Sequence, residues 1–594
     1  MKFKKIIALI LSVMTIGTCT ISTGCGGSNS VEGAVNVMAS AGGFGMSFLE
    51  EMKAKFETLY ADKGWKINLL PSSGSFGTTT ALAEMRLGAK GSGYDVVFPG
   101  SVYTQDVVDY KNEGFGVAAE NITETVYKQK PIRFDGTEED ITIEDKLIPD
   151  EYSTWTAKHP GTGEWYGFLS SESVRGLVCN TYVLEKYAGI PVSEFEEKYP
   201  RTTDELFAIY DTIMENLDAQ NDGVKPVIYG GDNAATYSVS TQQRMLGQIM
   251  GKEAYEYAWS GQLYKDNGNK YYSDDWKFYA ENEALVPALE TIIQSWDYLY
   301  AVQGSDSMTH DVAHGQLMID LAAFMFDGNY FYEEVRYGFP NSLGKIRMIP
   351  APAASYAGMK FNLCGTNHGL GTIEAYHGQK CAECDKIYSE MLKLINEDKT
   401  AEEVKTQTMA KFQGKNITDE MVEKVFEIAG CDYGISEPAY IVAGVEPEIK
   451  EMAEHFLRMF ASDDAALLRA KYSQMSAYKR VDASKVDNSE SEFLRDCFRI
   501  KAKASWTVDV HTKPGDTMAV NWFPPYSATI GVTIHADLPT TDKTYKDRNY
   551  YQIAKALLSP GGKIYKNIST DFLKGVQQRG LATDEGTNPN RNYK

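Results

Sequence analysis

Two groups of residues have types and spacing that could support chemistry. Cys381-Ala382-Glu383-Cys384, with His377 just before it, has the C-x-x-C spacing of half a zinc site or a local redox pair. A structural zinc needs four ligands and no second C-x-x-C occurs, so the pair reads as a disulfide or free thiols and no metal or cofactor is expected. His310 and His314 share a helix face at i, i+4 but lack the Glu of H-E-x-x-H, which supplies the general base of a metalloprotease. They read as a solvated helix face. No G-x-S-x-G elbow occurs either, and the chain is not expected to be an enzyme. A glycosidase would need a carboxyl pair about 5 to 9.5 Å apart, and so many Asp and Glu residues leave that alternative open.

The remaining polar chemistry lies on glycine-containing loops, and the flanking elements show why. Ala34 to Ala39 reads as a strand, followed by Ser40 to Gly45, and Met46 to Tyr60 has helical apolar spacing through Phe48, Met52, Phe56 and Leu59. The order repeats with Lys66 to Leu70, the loop Pro71 to Gly77, the helix Thr78 to Leu87 and the strand Tyr94 to Phe98. Such alternation predicts βαβ units in a parallel sheet, whose binding loops sit at the carboxyl ends of strands. Three loops converge there: Ser40 to Phe44, Gly74 to Phe76 and Gly100 to Tyr103. Further on, Thr202-Thr203-Asp204-Glu205 predicts a capping box, and Val227 to Tyr229 ends in a second polar glycine loop at Gly230 to Asn233. Residues 451 to 472 carry an amphipathic pattern through Met452, Phe456, Met459 and Phe460.

With 594 residues the chain has length for two or more packed units. Acidic residues outnumber basic ones 81 to 59, and the net charge of -22 opposes nucleic acid binding. Cysteine is too sparse for a disulfide framework in an exported chain. Export itself is read from the start: Lys2, Lys4 and Lys5 precede an apolar run from Ile6 to Ile16, too short for the ~20 apolar residues of a membrane span. Ser22-Thr23-Gly24-Cys25 resembles the end of a bacterial lipoprotein signal, although Ser22 stands where an aliphatic residue is usual. The resemblance implies removal of residues 1–24, lipidation at Cys25, a tether over 25–33 and attachment to the outer face of the cell membrane.

The motifs in order resemble the extracellular solute-binding protein family of bacterial ABC importers, the group with carbohydrate-binding members. Gly93-Tyr94-Asp95-Val96-Val97-Phe98 is similar to its G-x-x-x-D-V-V strand, and Trp165-Tyr166-Gly167 through Asn180 to its crossing strand. Pro200 to Leu206 is similar to P-x-T-W-D-E-L, Gly315 to Tyr330 to G-K-A-A-M…G-x-W, and Ile449 to Ala465 to its late amphipathic helix. Thr203 and Tyr330 stand where Trp is usual, and the chain after about Ser484 matches nothing in the family.

The resemblance implies an α/β chain of the two-lobe periplasmic-binding-protein type II fold, with a hinged cleft. Lobe 1 would comprise 34–170 plus 366–473, with a helical insert at about 378–450; lobe 2 would comprise 174–362 plus 474–594. Crossings are expected near Leu169 to Ser173, Asn362 to Thr366 and Tyr472 to Tyr478. The implied function is capture of a solute, a mono- or oligosaccharide, by a monomer that hands it to ABC permease subunits. A peptide, polyamine or phosphonate ligand, or a glycan-binding adhesin, are the alternatives. Sugar recognition needs flat aromatic faces and planar hydrogen-bonding side chains. Phe44, Phe76, Tyr103, Tyr237, Tyr330 and Trp522 are the expected platforms. Ser40, Ser75, Ser101, Glu172, Arg175, Asp232, Asn233, Asp327 and Asn367 are the expected polar contacts.

Overall fold

The structure is a computed structural model that describes residues 30–40, 43–72, 78–99, 102, 104–108, 117–148, 156–159, 162–231, 234–253, 255, 262–266, 269–272, 284–370, 376–432, 436–487, 489–508 and 544–566. Ser75, Phe76, Ser101, Tyr103, Asp232, Asn233, Trp522 and the lipidation site Cys25 lie outside them.

The chain opens with strands β1 (Val35–Ser40), β2 (Ile67–Ser72), β3 (Val96–Phe98) and β4 (Gly167–Glu172), then β5 (Arg175–Asn180) and β6 (Lys225–Val227). A hairpin of β7 (Gln262–Asp266) and β8 (Asn269–Tyr272) precedes β9 (Ala322–Gly328) and β10 (Ile346–Ile349). Short β11 (Cys431–Asp432), β12 (Ser436–Ile441) and β13 (Trp506–Thr507) complete the set. The first sheet has the order β2-β1-β3-β12-β4 and the second β10-β5-β9-β6.

In the first sheet β1 runs parallel to both β2 and β3, as the βαβ alternation predicts. β12 enters between β3 and β4 and is antiparallel to both, a late strand that local alternation has no means of announcing. The helix Ser47–Leu59 buries Phe48, Met52 and Phe56, spaced one turn apart, against this sheet. Each such side chain contributes about 1.5–3 kcal/mol by leaving water. In the second sheet β5 is antiparallel to β9 and β10, and β6 is parallel to β9. All seven residues of β9 are buried, so it is apolar without alternation until Asp327. The predicted capping box forms: Thr202 Oγ1 accepts the Glu205 amide at 3.3 Å, and the Glu205 carboxylate accepts the Thr202 amide at 3.4 Å.

Residues 366–473 divide between the two sheets, where the sequence reading assigns them to lobe 1 as a block. The helices Ala382–Asn396, Ala401–Lys411 and Asp419–Ala429 bury Ile387, Met391, Val404 and Val425 in the core that holds Leu177 and Phe324 of the second sheet. Thr202 Oγ1 fixes them further by donating to Asp385 Oδ2 at 3.0 Å. Their apolar stripes show that they dock, but carry no mark of which sheet receives them. The chain returns to the first sheet between β11 and β12, not near Asn362 to Thr366, where it instead makes a left-handed turn at Asn362 (φ 54°). From there the helix Pro447–Phe460 packs Met452, Phe456, Met459 and Phe460 with Phe48 and Phe56.

The segment beyond Ser484 also docks on the second sheet. Asp496, on the helix Phe493–Lys503, pairs with Arg347 of β10 at 2.6 Å. The helix Tyr550–Leu558 packs its apolar face into the core around Leu289, with the Tyr550 hydroxyl donating to Asp297 at 3.0 Å. Among the described residues no helix is long and apolar enough to cross a membrane.

Candidate ligand site

β4 runs straight into β5, carrying the chain from the first sheet to the second, and the polar residues at this passage are held tightly. Glu172, only 2% exposed, pairs with Arg480 and lies 3.6 Å from Lys501 Nζ, while Lys501 also reaches Asp432 at 3.2 Å. The Glu172 amide donates to the Met475 carbonyl at 3.0 Å. Glu172, Asp432 and Met475 sit on the three stretches that pass between the sheets. The sequence reading makes Glu172 a ligand contact; the structure makes it the centre of an ionic knot at the hinge.

The end of β9 divides its polar residues in the same manner. Asn329 accepts the Val174 amide at 3.0 Å and donates to the Ser473 carbonyl, clamping two of the same stretches. Asp327 Oδ2 lies 2.7 Å from His314 Nε2 and 3.3 Å from His310 Nε2. Both imidazoles are buried, not solvated as the sequence reading has it, because the helix His310–Met318 turns this face onto β9. Burial would raise the Asp327 carboxyl, but the two imidazoles outweigh it and hold it well below the usual carboxylate range. Burial lowers His314 despite Asp327. On its other side His314 Nδ1 stands 3.4 Å from Glu334, whose carboxyl burial and the Asp327 charge push up to about 8. One proton arrangement compatible with the row has Asp327 ionised, His314 donating to it through Nε2, and Glu334 protonated and facing Nδ1. Glu334 also accepts the Gly43 amide from the loop after β1.

Beside this row is a pocket. Arg175, Ser240, Thr241, Arg244, Phe326 and Asp327 line it. Arg175 Nη1 donates to Ser240 Oγ at 3.1 Å. Arg244, on the helix Ala234–Met250, is 5% exposed, and its Nε and Nη1 have no hydrogen-bond partner among the described residues. A buried guanidinium left so is costly without an acceptor. Two guanidinium forks and two hydroxyls around a carboxylate can bind vicinal hydroxyl groups or an anionic group from several sides.

The aromatic wall comes from both sheets. Phe44, in the loop after β1, meets Tyr330, at the end of β9, edge to face with ring centroids 5.9 Å apart and planes at 81°. Gly328 makes room for this: a Cβ there would lie 2.4 Å from the Tyr330 ring.

Of the predicted contacts, Phe44, Arg175, Asp327 and Tyr330 are brought to this region. Ser40 ends β1 on the exposed side, paired in register with Ser72. The backbone at Tyr237 belongs to the helix that also carries Ser240 and Arg244. Asn367 is exposed and closes a turn by accepting the Gly369 amide at 2.8 Å, within a loop that packs on the helix Ala382–Asn396. Ser240, Thr241 and Arg244 are absent from the sequence reading, since nothing in their helical stretch distinguishes them from a surface turn.

No family model and no curated protein sequence matches the chain. Solved structures do match. Maltose-bound MalE3 of T. maritima aligns with a TM-score of 0.52 at 14% identity over 91% of this chain and 99% of that one. A chitin oligosaccharide binding protein aligns with a TM-score of 0.53 at 12% identity over 91% of this chain and 100% of that one. An ABC substrate-binding protein from Listeria monocytogenes, in complex with cycloalternan, aligns with a TM-score of 0.51 at 11% identity over 92% and 99%. At these identities the likeness is one of fold, and the α/β two-lobe fold expected from the sequence is the one observed.

Proposed function

We propose that this chain binds an extracellular mono- or oligosaccharide between its two sheet units and releases it unchanged to the permease of an ABC importer. The carrying observation is the Phe44–Tyr330 pair, two aromatic rings contributed by different units, with Tyr330 three residues along the chain from Asp327, which lines a pocket of hydroxyls and guanidinium groups. Aromatic faces suit the apolar CH surfaces of a sugar ring, and Arg175, Ser240, Thr241 and Arg244 suit its hydroxyls. The fold likeness to proteins solved with maltose and cycloalternan supports the same reading.

Binding without chemistry fits the state of the carboxylates. Asp327 is committed to two imidazoles and Glu172 to Arg480 and Lys501, so neither is free as an acid or a nucleophile. The ligand would touch one unit first and gain contacts from the other on closure. It stabilises the closed form by its differential affinity alone. Lipidation at Cys25 belongs to the same proposal, and two acyl chains would hold the protein at the membrane where one is marginal. Replacing Cys25 by Ser should release the chain into the medium; retention would remove the anchor from the proposal.

The deciding experiment is a thermal-shift screen with mono- and oligosaccharides, polyamines, short peptides and organophosphonates, followed by calorimetry on any hit. Binding to the folded state alone stabilises by about 2.7 kcal/mol at a hundredfold excess over Kd. A shift confined to one sugar class is expected. A shift with polyamines, peptides or phosphonates alone would overturn the sugar assignment and keep the transport reading. Retention on insoluble glycan with no soluble ligand would favour an adhesin.

A further inference from the structure

The C-x-x-C pair has its missing half. Cys364 and His368 stand in the loop that follows the helix Ser355–Lys360, in a C-x-x-x-H spacing, and twelve residues separate His368 from Cys381. The loop folds back so that one ligand atom from each of Cys364, His368, Cys381 and Cys384 lies within 4.8 Å of all the others. His368 Nε2 is 3.3 Å from Cys364 Sγ and 3.4 Å from Cys384 Sγ, and the Cys381 and Cys364 sulfurs are 3.9 Å apart. A tetrahedron with zinc–sulfur bonds of about 2.3 Å and zinc–nitrogen bonds of about 2.05 Å has S···S edges of about 3.8 Å and S···N edges of about 3.6 Å. These three separations match those edges to within a few tenths of an ångström, and the others lie within 4.8 Å.

The surroundings suit thiolates. The Thr366 amide points at Cys364 Sγ at 3.4 Å, the Cys364 amide at Cys384 Sγ at 3.4 Å and the Cys384 amide at Cys381 Sγ at 3.5 Å. Each sulfur thus accepts one backbone N–H, the outer support that orients metal-bound thiolates. Lys415 Nζ, bonded to the Cys364 carbonyl at 2.7 Å and paired with Glu383 at 2.7 Å, ties the Cys364 backbone to the Cys381–Cys384 turn. His368 is held from behind by its amide on Asn362 Oδ1 at 2.9 Å and its carbonyl on Gln379 Nε2 at 3.3 Å. The left-handed turn at Asn362 and the positive φ of Gly365 (85°) allow the loop to close.

We propose that Cys364, His368, Cys381 and Cys384 bind one structural zinc ion, which staples the 362–369 loop to the first turn of the helix Ala382–Asn396. Three soft sulfurs and one imidazole in a closed tetrahedron select zinc over hard cations. A disulfide accounts for less: three cysteines cannot all pair, and it gives His368 no reason to face two sulfurs at once. His377, adjacent in sequence, is not among the four.

The test is metal analysis of the purified full chain produced with zinc. We expect about one zinc per chain, and fewer than about a tenth as many in Cys381→Ser and in His368→Ala. Cys179→Ser and Cys497→Ser, buried cysteines in the second unit's cores, should keep the metal. Since the loss variants could fail by misfolding, the wild-type chain is also exchanged with cobalt. Thiolate-to-cobalt charge-transfer bands with intense tetrahedral d–d bands support the site. Chelation should then expose three more reactive thiols. Zinc below about a tenth of an equivalent in the wild-type chain, or a disulfide joining any two of Cys364, Cys381 and Cys384 in the freshly purified protein, would overturn the proposal.

Discussion

Tyr330 meets Phe44 edge to face at 5.9 Å, and the contact joins the end of β9 in the second sheet to the loop after β1 in the first. An edge-to-face pair contributes about 0.5–1.5 kcal/mol beyond the area it buries, enough to bias a hinge without locking it. A sugar ring entering between the units would meet both rings.

Phe44→Ala and Tyr330→Ala should each weaken sugar binding by about 1–3 kcal/mol while changing the stability of the free protein by no more than about 1.5 kcal/mol. Calorimetry with the sugar found in the screen reads the first quantity and denaturant unfolding the second. Gly328→Ala should act like Tyr330→Ala, because its Cβ would stand 2.4 Å from the tyrosine ring and displace it. Unchanged affinity in all three variants would take the aromatic wall out of the site.

Arg244 should behave oppositely in the two assays. With Nε and Nη1 buried and without a hydrogen-bond partner among the described residues, replacing it by Met removes an uncompensated desolvation of about 1–3 kcal/mol and raises the unfolding midpoint. The same variant should bind the ligand about tenfold or more weakly, a loss of about 1.4 kcal/mol. A destabilised Arg244→Met with full affinity would show that the guanidinium supports the fold and not the pocket.

Much of this site is legible in the sequence only as far as local pattern reaches. The strands β1, β2 and β3 and the helices Ser47–Leu59 and Thr78–Arg86 succeed each other as predicted, with β2 running on through Pro71 and Ser72, where the reading has a loop. Phe44, Arg175, Asp327 and Tyr330 are named by local pattern because they lie at, or within four residues of, the ends of apolar strands. The misread residues are those whose partners are distant. Glu172 reads as a ligand contact until Arg480, 308 residues away, closes on it. His310 and His314 read as a solvated face because their acceptor, Asp327, arrives on a different element. Cys364 and His368 were open to a search for C-x-x-x-H, but a search for a second C-x-x-C passes over them.

Removing Glu172 should cost more than removing an exposed ion. Glu172→Ala leaves Arg480 without its carboxylate and takes one of two nearby carboxylates from Lys501, and breaking a buried pair from one side costs about 3–5 kcal/mol. Urea unfolding measures it. Arg480→Met on top of Glu172→Ala should recover part of the loss, because the cation that Glu172→Ala leaves without a carboxylate is then removed as well. If the double variant is less stable than the single one by the full cost of Arg480→Met alone, the two residues do not act as a pair.

The row from Asp327 to Gly43 predicts a pH dependence with a definite sign. Glu334 faces His314 across 3.4 Å and feels His310, Asp311 and Asp327 as well as the Gly43 amide. Its carboxyl titrates at about 8 in the fold against 4.5 as the ordinary value, so the folded chain holds a proton that the unfolded chain has lost. The stability tied to that proton is fully present below about 4.5, declines as pH rises and is gone once pH passes about 8. Glu334→Gln keeps a donor toward His314 Nδ1 and removes the titration. Its stability relative to wild type should therefore rise with pH across this window, by well under the limit of about 1.4 kcal/mol per unit because Glu334 is partly open to solvent, and level off above it. Unfolding midpoints taken for both proteins at steps from about pH 5 to about pH 9 measure the slope. Parallel curves would mean that Glu334 is ionised throughout, and that Gly43 and His314 are held by a carboxylate and not by a shared proton.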